Sequence, residues 1–81
     1  MTKTRRRAIY RRMGENIRTR REYMGWTQEW LAKALRISRP SLANIEAGRQ
    51  GISVARMLDI CEQLGCKPQL LFSKSTTEGG K

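Results

Sequence analysis

Residues 27–48, TQEWLAKALRISRPSLANIEAG, decide how this chain is read. Thr27 is a residue type whose side chain accepts a hydrogen bond from an orphan amide at a helix start. Behind it Trp30, Leu31, Ala34 and Leu35 recur at helical spacing. Arg36 and Ile37 make a short link. Ser38 is a second N-cap, and Pro40 falls in the first turn, where amides lack intrahelical partners and proline is tolerated. Leu42 and Ile45 line one face of this next helix, and Gly48 suits the left-handed residue that closes it. The stretch predicts two short helices, the second over 39–47, joined by a turn of three or four residues. Small or apolar side chains (Ala32, Ile37, Leu42, Ile45) fall where the two would cross, and polar ones (Arg39, Ser41, Asn44) fall outward.

Outward from this unit the punctuation stays helical, without the alternation of strands. Met13 to Met24 predicts a first helix, with Met13, Ile17 and the stems of Arg20 and Arg21 near one face and Gly25 as its stop. Ser53 caps a fourth helix running to about Leu64, with Val54, Met57, Ile60, Cys61 and Leu64 at core spacing, and Gly65 ends it. Pro68 opens a short helical turn whose Leu70, Leu71 and Phe72 cover the bundle. Trp26 is expected in the core, with Met13, Met24 and Met57 filling gaps. The expected fold is all-α, a compact bundle of about five short helices over 13–72. A basic N-terminal arm over 1–12 precedes it and a disordered polar tail over 73–81 follows.

Composition narrows the function classes. The 81 residues carry 17 Lys+Arg against 7 Asp+Glu, a net charge of +10, with no histidine and two cysteines. Histidine-based acid/base chemistry and Ser-His-Asp triads are excluded. Cys61 and Cys66 are spaced unlike a redox CxxC pair and are read as reduced thiols, so no metal, cofactor, small-molecule substrate or catalysis is expected. Without a secretory apolar stretch or an 18-residue apolar run, the chain reads as soluble and cytoplasmic. Most of the excess charge lies in the arm: Lys3, Arg5, Arg6, Arg7, Arg11 and Arg12, with no acid. Such a block repels itself and is expected to be loose until it meets a polyanion. A solubilising tail or an anionic-membrane patch is the alternative, but Ile9 and Tyr10 are its only large apolar anchors.

A short helix, a tight turn and a second short helix have the spacing of a helix-turn-helix, whose second helix enters a major groove by its N-terminal end. Arginine there can bond guanine O6 and N7 together, and asparagine adenine N6 and N7. The chain resembles the phage-repressor type of this family (Cro and lambda-repressor-like, or XRE). The matching text is Gly14-Glu15-Asn16-Ile17-Arg18, Arg21, Gly25-Trp26-Thr27-Gln28-Glu29, Leu31-Ala32, Ile37-Ser38, Leu42, Ile45-Glu46-Ala47-Gly48-Arg49 and Ile60-Cys61-Glu62-Gln63-Leu64-Gly65. The resemblance implies a five-helix bundle that binds operator DNA as a two-fold dimer. It implies base reading by Arg39, Pro40, Ser41 and Asn44, and phosphate contacts from Thr27, Gln28 (which also buttresses the reading helix), Ser38, Arg49 and Arg18. It implies an arm (Lys3, Arg5, Arg6, Arg7) that wraps the duplex or enters a minor groove, and a buried ion pair between Arg21 and Glu46. Arg11, Arg12, Arg18 and Arg20 are read as phosphate contacts or as a solvated basic face.

Three positions depart from the pattern. Pro40 offers only apolar contact where a hydrogen-bonding side chain is common, and Ala47 lacks a common amide. Trp30 stands where an exposed polar residue is usual. It is read either as packing on Tyr10, Tyr23 or the arm, or as an exposed aromatic at a partner surface. The reading that results is a sequence-specific regulator of transcription, bacterial or phage-encoded, acting as a homodimer on a pseudo-palindromic operator. Residues 65–72 are the expected dimer contact. The alternative is an antitoxin-like module that binds a partner toxin through Trp30 or residues 65–81 and regulates its own operon. Its weakness is the lack of an acidic toxin-binding extension. RNA binding lacks a stacking platform of aromatics.

Overall fold

The computed structural model describes residues 2–73. They form five helices: α1 (Lys3–Tyr23), α2 (Gln28–Leu35), α3 (Arg39–Glu46), α4 (Val54–Leu64) and α5 (Pro68–Phe72). Four helices start at a capping hydroxyl. The side chains of Thr2, Thr27, Ser38 and Ser53 accept from the amides of Arg5, Trp30, Ser41 and Arg56, at 3.0–3.1 Å. Each bond satisfies one donor that the helix leaves unpaired, worth about 1 kcal/mol. Gly25, Gly48 and Gly65 have positive φ beyond the ends of α1, α3 and α4. Behind α2 the same left-handed position is filled by Arg36, φ 60. There Arg36 N–H bonds Lys33 O and Ile37 N–H bonds Ala32 O, each at 3.0 Å, and Ile37 packs on the core. That closure holds a conformation costing an L-residue roughly 1–2 kcal/mol.

Ile17, Leu31, Leu42, Ile60, Leu64 and Leu71 are fully buried, one or two from each helix, so a single core joins all five. Met13 lies within it, Met57 packs on its edge and Met24 is half-buried. α1 crosses α3 at Gly14, where a Cβ would lie 2.5 Å from the Glu46 carbonyl oxygen, so only glycine permits this approach. On the other side of α1 the buried Asn16 amide donates to the carbonyls of Leu71 (2.9 Å) and Ser73 (2.8 Å), tying down the end of α5. Cys61 is buried and Cys66 half-buried, both as free thiols. Burial, reinforced by Cys66, pushes the Cys61 thiol up to about 11, so it is neutral and unreactive at physiological pH.

Several expectations need correction. The first helix begins at Lys3, not Met13, so the arm over residues 3–12 is ordered helix rather than a loose segment. The Thr2 cap starts it, and the α3–α4 loop braces it. Gly48 sits so close that a Cβ there would lie 2.6 Å from Arg11 Cα, and Gly51 meets the Tyr10 ring in the same way. Val54 is 69% exposed rather than core, because the first turn of α4 extends past the helices that cover its later residues. In α5 only Leu71 is fully buried, while Leu70 is half-buried and Phe72 lies half outside. Trp26 packs on the core without being enclosed by it. The tail expected over 73–81 lies, beyond Ser73, outside the described residues. Among the described residues no helix is long and apolar enough to cross a membrane.

Candidate nucleic-acid interface

The short turn after α2 and the Ser38 cap bring the first turn of α3 to the surface, so Arg39 and Pro40 are exposed. Ser41 and Asn44, further along, are half-buried. Ser38 Oγ accepts from the Ser41 amide and donates to Ser41 Oγ at 3.0 Å, so these two hydroxyls are oriented together. Thr27 likewise holds its own helix start, with its hydroxyl hydrogen still available as a donor.

Beneath this surface lies a chain of hydrogen bonds. Arg21 Nε and Nη2 grip both carboxylate oxygens of Glu46, at 2.8 and 3.0 Å, and Arg21 Nη1 donates to Trp26 O at 2.7 Å. Both residues are buried. The hydrogen bond to Glu46 holds the guanidinium above its ordinary range against the opposing effect of burial, so Arg21 stays charged. Gln28 extends the chain. Its Nε2 donates to Glu46 Oε1 at 3.0 Å, and its Oε1 accepts from Arg39 Nη1 at 2.9 Å. An exposed arginine is thereby aimed by a buried ion pair through one amide side chain. Gln28 is thus engaged inside the protein on both sides; of the two roles that the resemblance implies for it, phosphate contact and buttress to the reading helix, these bonds are of the second kind.

At the far end of α3 Arg49 Nε donates to Asn44 Oδ1 at 2.9 Å, fixing which way that amide faces. Arg18 pairs with Glu22 one turn on, at 3.2 Å and largely exposed, a contact worth at most ~0.5 kcal/mol. Arg20, read as phosphate contact or solvated face, instead caps α4. It donates to Leu64 O at 3.0 Å and lies over the Tyr23 ring, 5.4 Å from its centre. Arg56 caps α2 in the same manner through Leu35 O, a role the sequence did not suggest. Trp30 is 48% exposed and its ring partner is Trp26, 4.3 Å between centres, rather than Tyr10 or Tyr23. The helix also divides the arm. Lys3, Arg6 and Arg7 look toward the α3–α4 loop, whereas Arg5 lies with Ile9, Arg12 and Phe72 on another side.

Comparison with known proteins agrees with this geometry. A helix-turn-helix domain model matches residues 12–71. The competence pilus inhibition repressor of Acinetobacter baylyi is 32% identical over 60 residues, which are 74% of this chain and 54% of that protein. The chain therefore spans about half the length of that relative. Among solved structures, the restriction-modification controller protein C.AhdI from Aeromonas hydrophila superposes with a TM-score of 0.75 at 28% identity. The match covers 80% of this chain and 98% of that one. The clp gene regulator ClgR from C. glutamicum gives 0.74 at 28% identity, over 78% of this chain and 82% of its own. With two capped helices, a tight turn between them and an exposed polar start to the second, the chain belongs to the helix-turn-helix family of DNA-binding transcription regulators.

Proposed function

We propose that this protein is a sequence-specific regulator that reads the major groove of an operator with α3, acting as a cytoplasmic homodimer without catalysis. The observation that carries the reading is the bond chain Arg21–Glu46–Gln28–Arg39, which holds an arginine outward at the exposed start of a short helix. The bond to Gln28 uses one terminal nitrogen of Arg39 and leaves Nε and Nη2 as a fork suited to guanine O6 and N7. Asn44, Ser41 and Pro40 complete the reading surface, with Pro40 limited to apolar contact such as a thymine methyl. Thr27, Ser38 and Arg49 serve phosphates, as do Gln28 and Arg18 where their internal bonds yield. Two such subunits would meet successive major grooves about 34 Å apart.

Selection from a random duplex library, followed by fluorescence anisotropy on the winning sequence, tests this. Enrichment of a two-fold symmetric site is expected. Arg39→Ala should weaken binding to it by about 1–3 kcal/mol and relax preference at one base pair per half-site. Failure to enrich any sequence would overturn the reading.

A further inference from the structure

We infer that the reading face of α3 offers bases hydrogen-bond donors only, so that each half-site is read through guanine, and that Arg49 sets this polarity at Asn44. This rests on the reading by α3 given above and narrows it to a base. Arginine carries N–H donors and no acceptor. The atom of the Asn44 amide that meets Arg49 Nε at 2.9 Å is therefore its oxygen. With Oδ1 drawn toward Arg49, the end of Asn44 left for a base is Nδ2 with its hydrogens. The interior imposes the same polarity at the other end of the helix. A carboxylate only accepts, so the end of Gln28 that meets Glu46 at 3.0 Å is Nε2, and the end that meets Arg39 Nη1 at 2.9 Å is Oε1. Arg39 itself has nothing but donors to show. At Ser41 the hydroxyl oxygen accepts from Ser38 Oγ at 3.0 Å, which leaves its own hydrogen to donate. The Pro40 side chain has neither group, and the one acid of α3, Glu46, is buried against Arg21.

Donors alone select among base edges. In the major groove guanine shows two acceptors, N7 and O6, and no donor, whereas cytosine shows a donor and adenine sets its N6 amino group beside N7. Thymine has O4 as its single acceptor, beside a methyl group. Asparagine reads adenine by accepting from N6 while donating to N7. Arg49 occupies the acceptor which that pairing needs. Guanine requires no acceptor from the protein, and Arg39 and Asn44 both meet it with donors. Each half-site is thus expected to hold two G·C pairs, with guanines facing Arg39 and Asn44, where the asparagine alone suggested adenine. Arg49 keeps Nη1 and Nη2 for a phosphate while its Nε holds Asn44, so its two roles do not compete. It is a positioning residue that decides a base without touching one.

The test uses the full chain and its Arg39→Ala, Asn44→Ala and Arg49→Met variants. Each is put through selection from a random duplex library, and anisotropy then measures all four base pairs at every position of the selected half-site. Loss of preference in Asn44→Ala marks the base pair that Asn44 reads. There the parent should bind guanine about tenfold better than adenine. Arg49→Met frees the amide to turn, so the ratio of guanine to adenine binding at that pair should fall by about tenfold or more, with adenine accepted as well as guanine. Losing a phosphate contact with Arg49 weakens every duplex alike and leaves that ratio unchanged, so the ratio isolates the positioning role. A parent preference at that pair for any base but guanine would overturn the inference. So would a guanine preference that Arg49→Met leaves intact, or a half-site with no Asn44-dependent pair. If recognition still depends on Arg39 in these cases, the reading by α3 stands and only its polarity fails. A site indifferent to both Arg39→Ala and Asn44→Ala, or no enriched site, would overturn the two together.

Discussion

The two halves of α1 use arginine for opposite purposes. From Met13 onward every arginine has an acceptor: Arg18 on Glu22, Arg20 on Leu64 O, and Arg21 on Glu46 and Trp26 O. From Lys3 to Arg12 no cationic side chain has one among the described residues. Both halves are regular helix in one unbroken element. In the second half, charge is turned inward to hold helices together and to cap them. In the first, charge is laid on the surface where it works against the helix, and packing from the α3–α4 loop overrides it. Charge that the fold does not use, and partly suffers from, points to a partner outside the fold.

The largest test of the contrast is removal of one charge from each half. Glu46→Ala strands Arg21 in the interior and should destabilise the domain by about 3–5 kcal/mol. Arg7→Ala should shift stability by no more than about 0.5 kcal/mol. Urea denaturation followed by circular dichroism compares them, and similar losses would break the contrast. Next in size, Gly14→Ala drives a methyl into the carbonyls of α3 at the point where the inward half begins. Its overpacking should cost about 1–3 kcal/mol despite alanine's better helix propensity. A stabilised variant would show that the crossing of α1 and α3 is loose.

Asn16→Ala removes the donor to Leu71 O and Ser73 O. It should cost about 1–2 kcal/mol, with faster hydrogen exchange concentrated at the end of α5. The smallest effect belongs to the outward half. Raising salt from low to moderate levels screens Lys3, Arg7 and Arg11 from one another and should add less than about 1 kcal/mol of stability. That gain should shrink in Arg7→Gln/Arg11→Gln. An equal gain in the variant would place the repulsion elsewhere.

Much of this could be read from local chemistry. The caps at Thr27, Ser38 and Ser53 and the glycine closures need only neighbouring residues, so the boundaries of α2, α3 and α4 were legible in the sequence. The family's motif text likewise pointed to Arg21 and Glu46 as partners. Illegible features depend on residues distant in the chain. The start of α1 at Lys3 depends on Gly48 and Gly51 bracing Arg11 and Tyr10, against the local charge pattern. The exposure of Val54 depends on which helices reach the first turn of α4. Arg36 occupies a left-handed closure that glycine would normally mark. Gly14 did leave a trace, since a glycine within a helix is a penalty unless something must come close. The double engagement of Gln28 was half legible: the resemblance implies a buttress to the reading helix, but nothing local marks its two partners, 11 and 18 positions away.

That double engagement has a consequence in time. An exposed arginine ordinarily samples many rotamers, and immobilising such a side chain on binding costs ~0.5–1.5 kcal/mol. Arg39 has already lost much of that freedom when the chain folds, so a ligand that meets it in this pose does not incur the loss again. Preorganisation of this sort lengthens the life of a complex far more than it speeds encounter. Gln28→Ala would leave the arginine present and charged yet unrestrained, and the complex should form as quickly as before but part sooner.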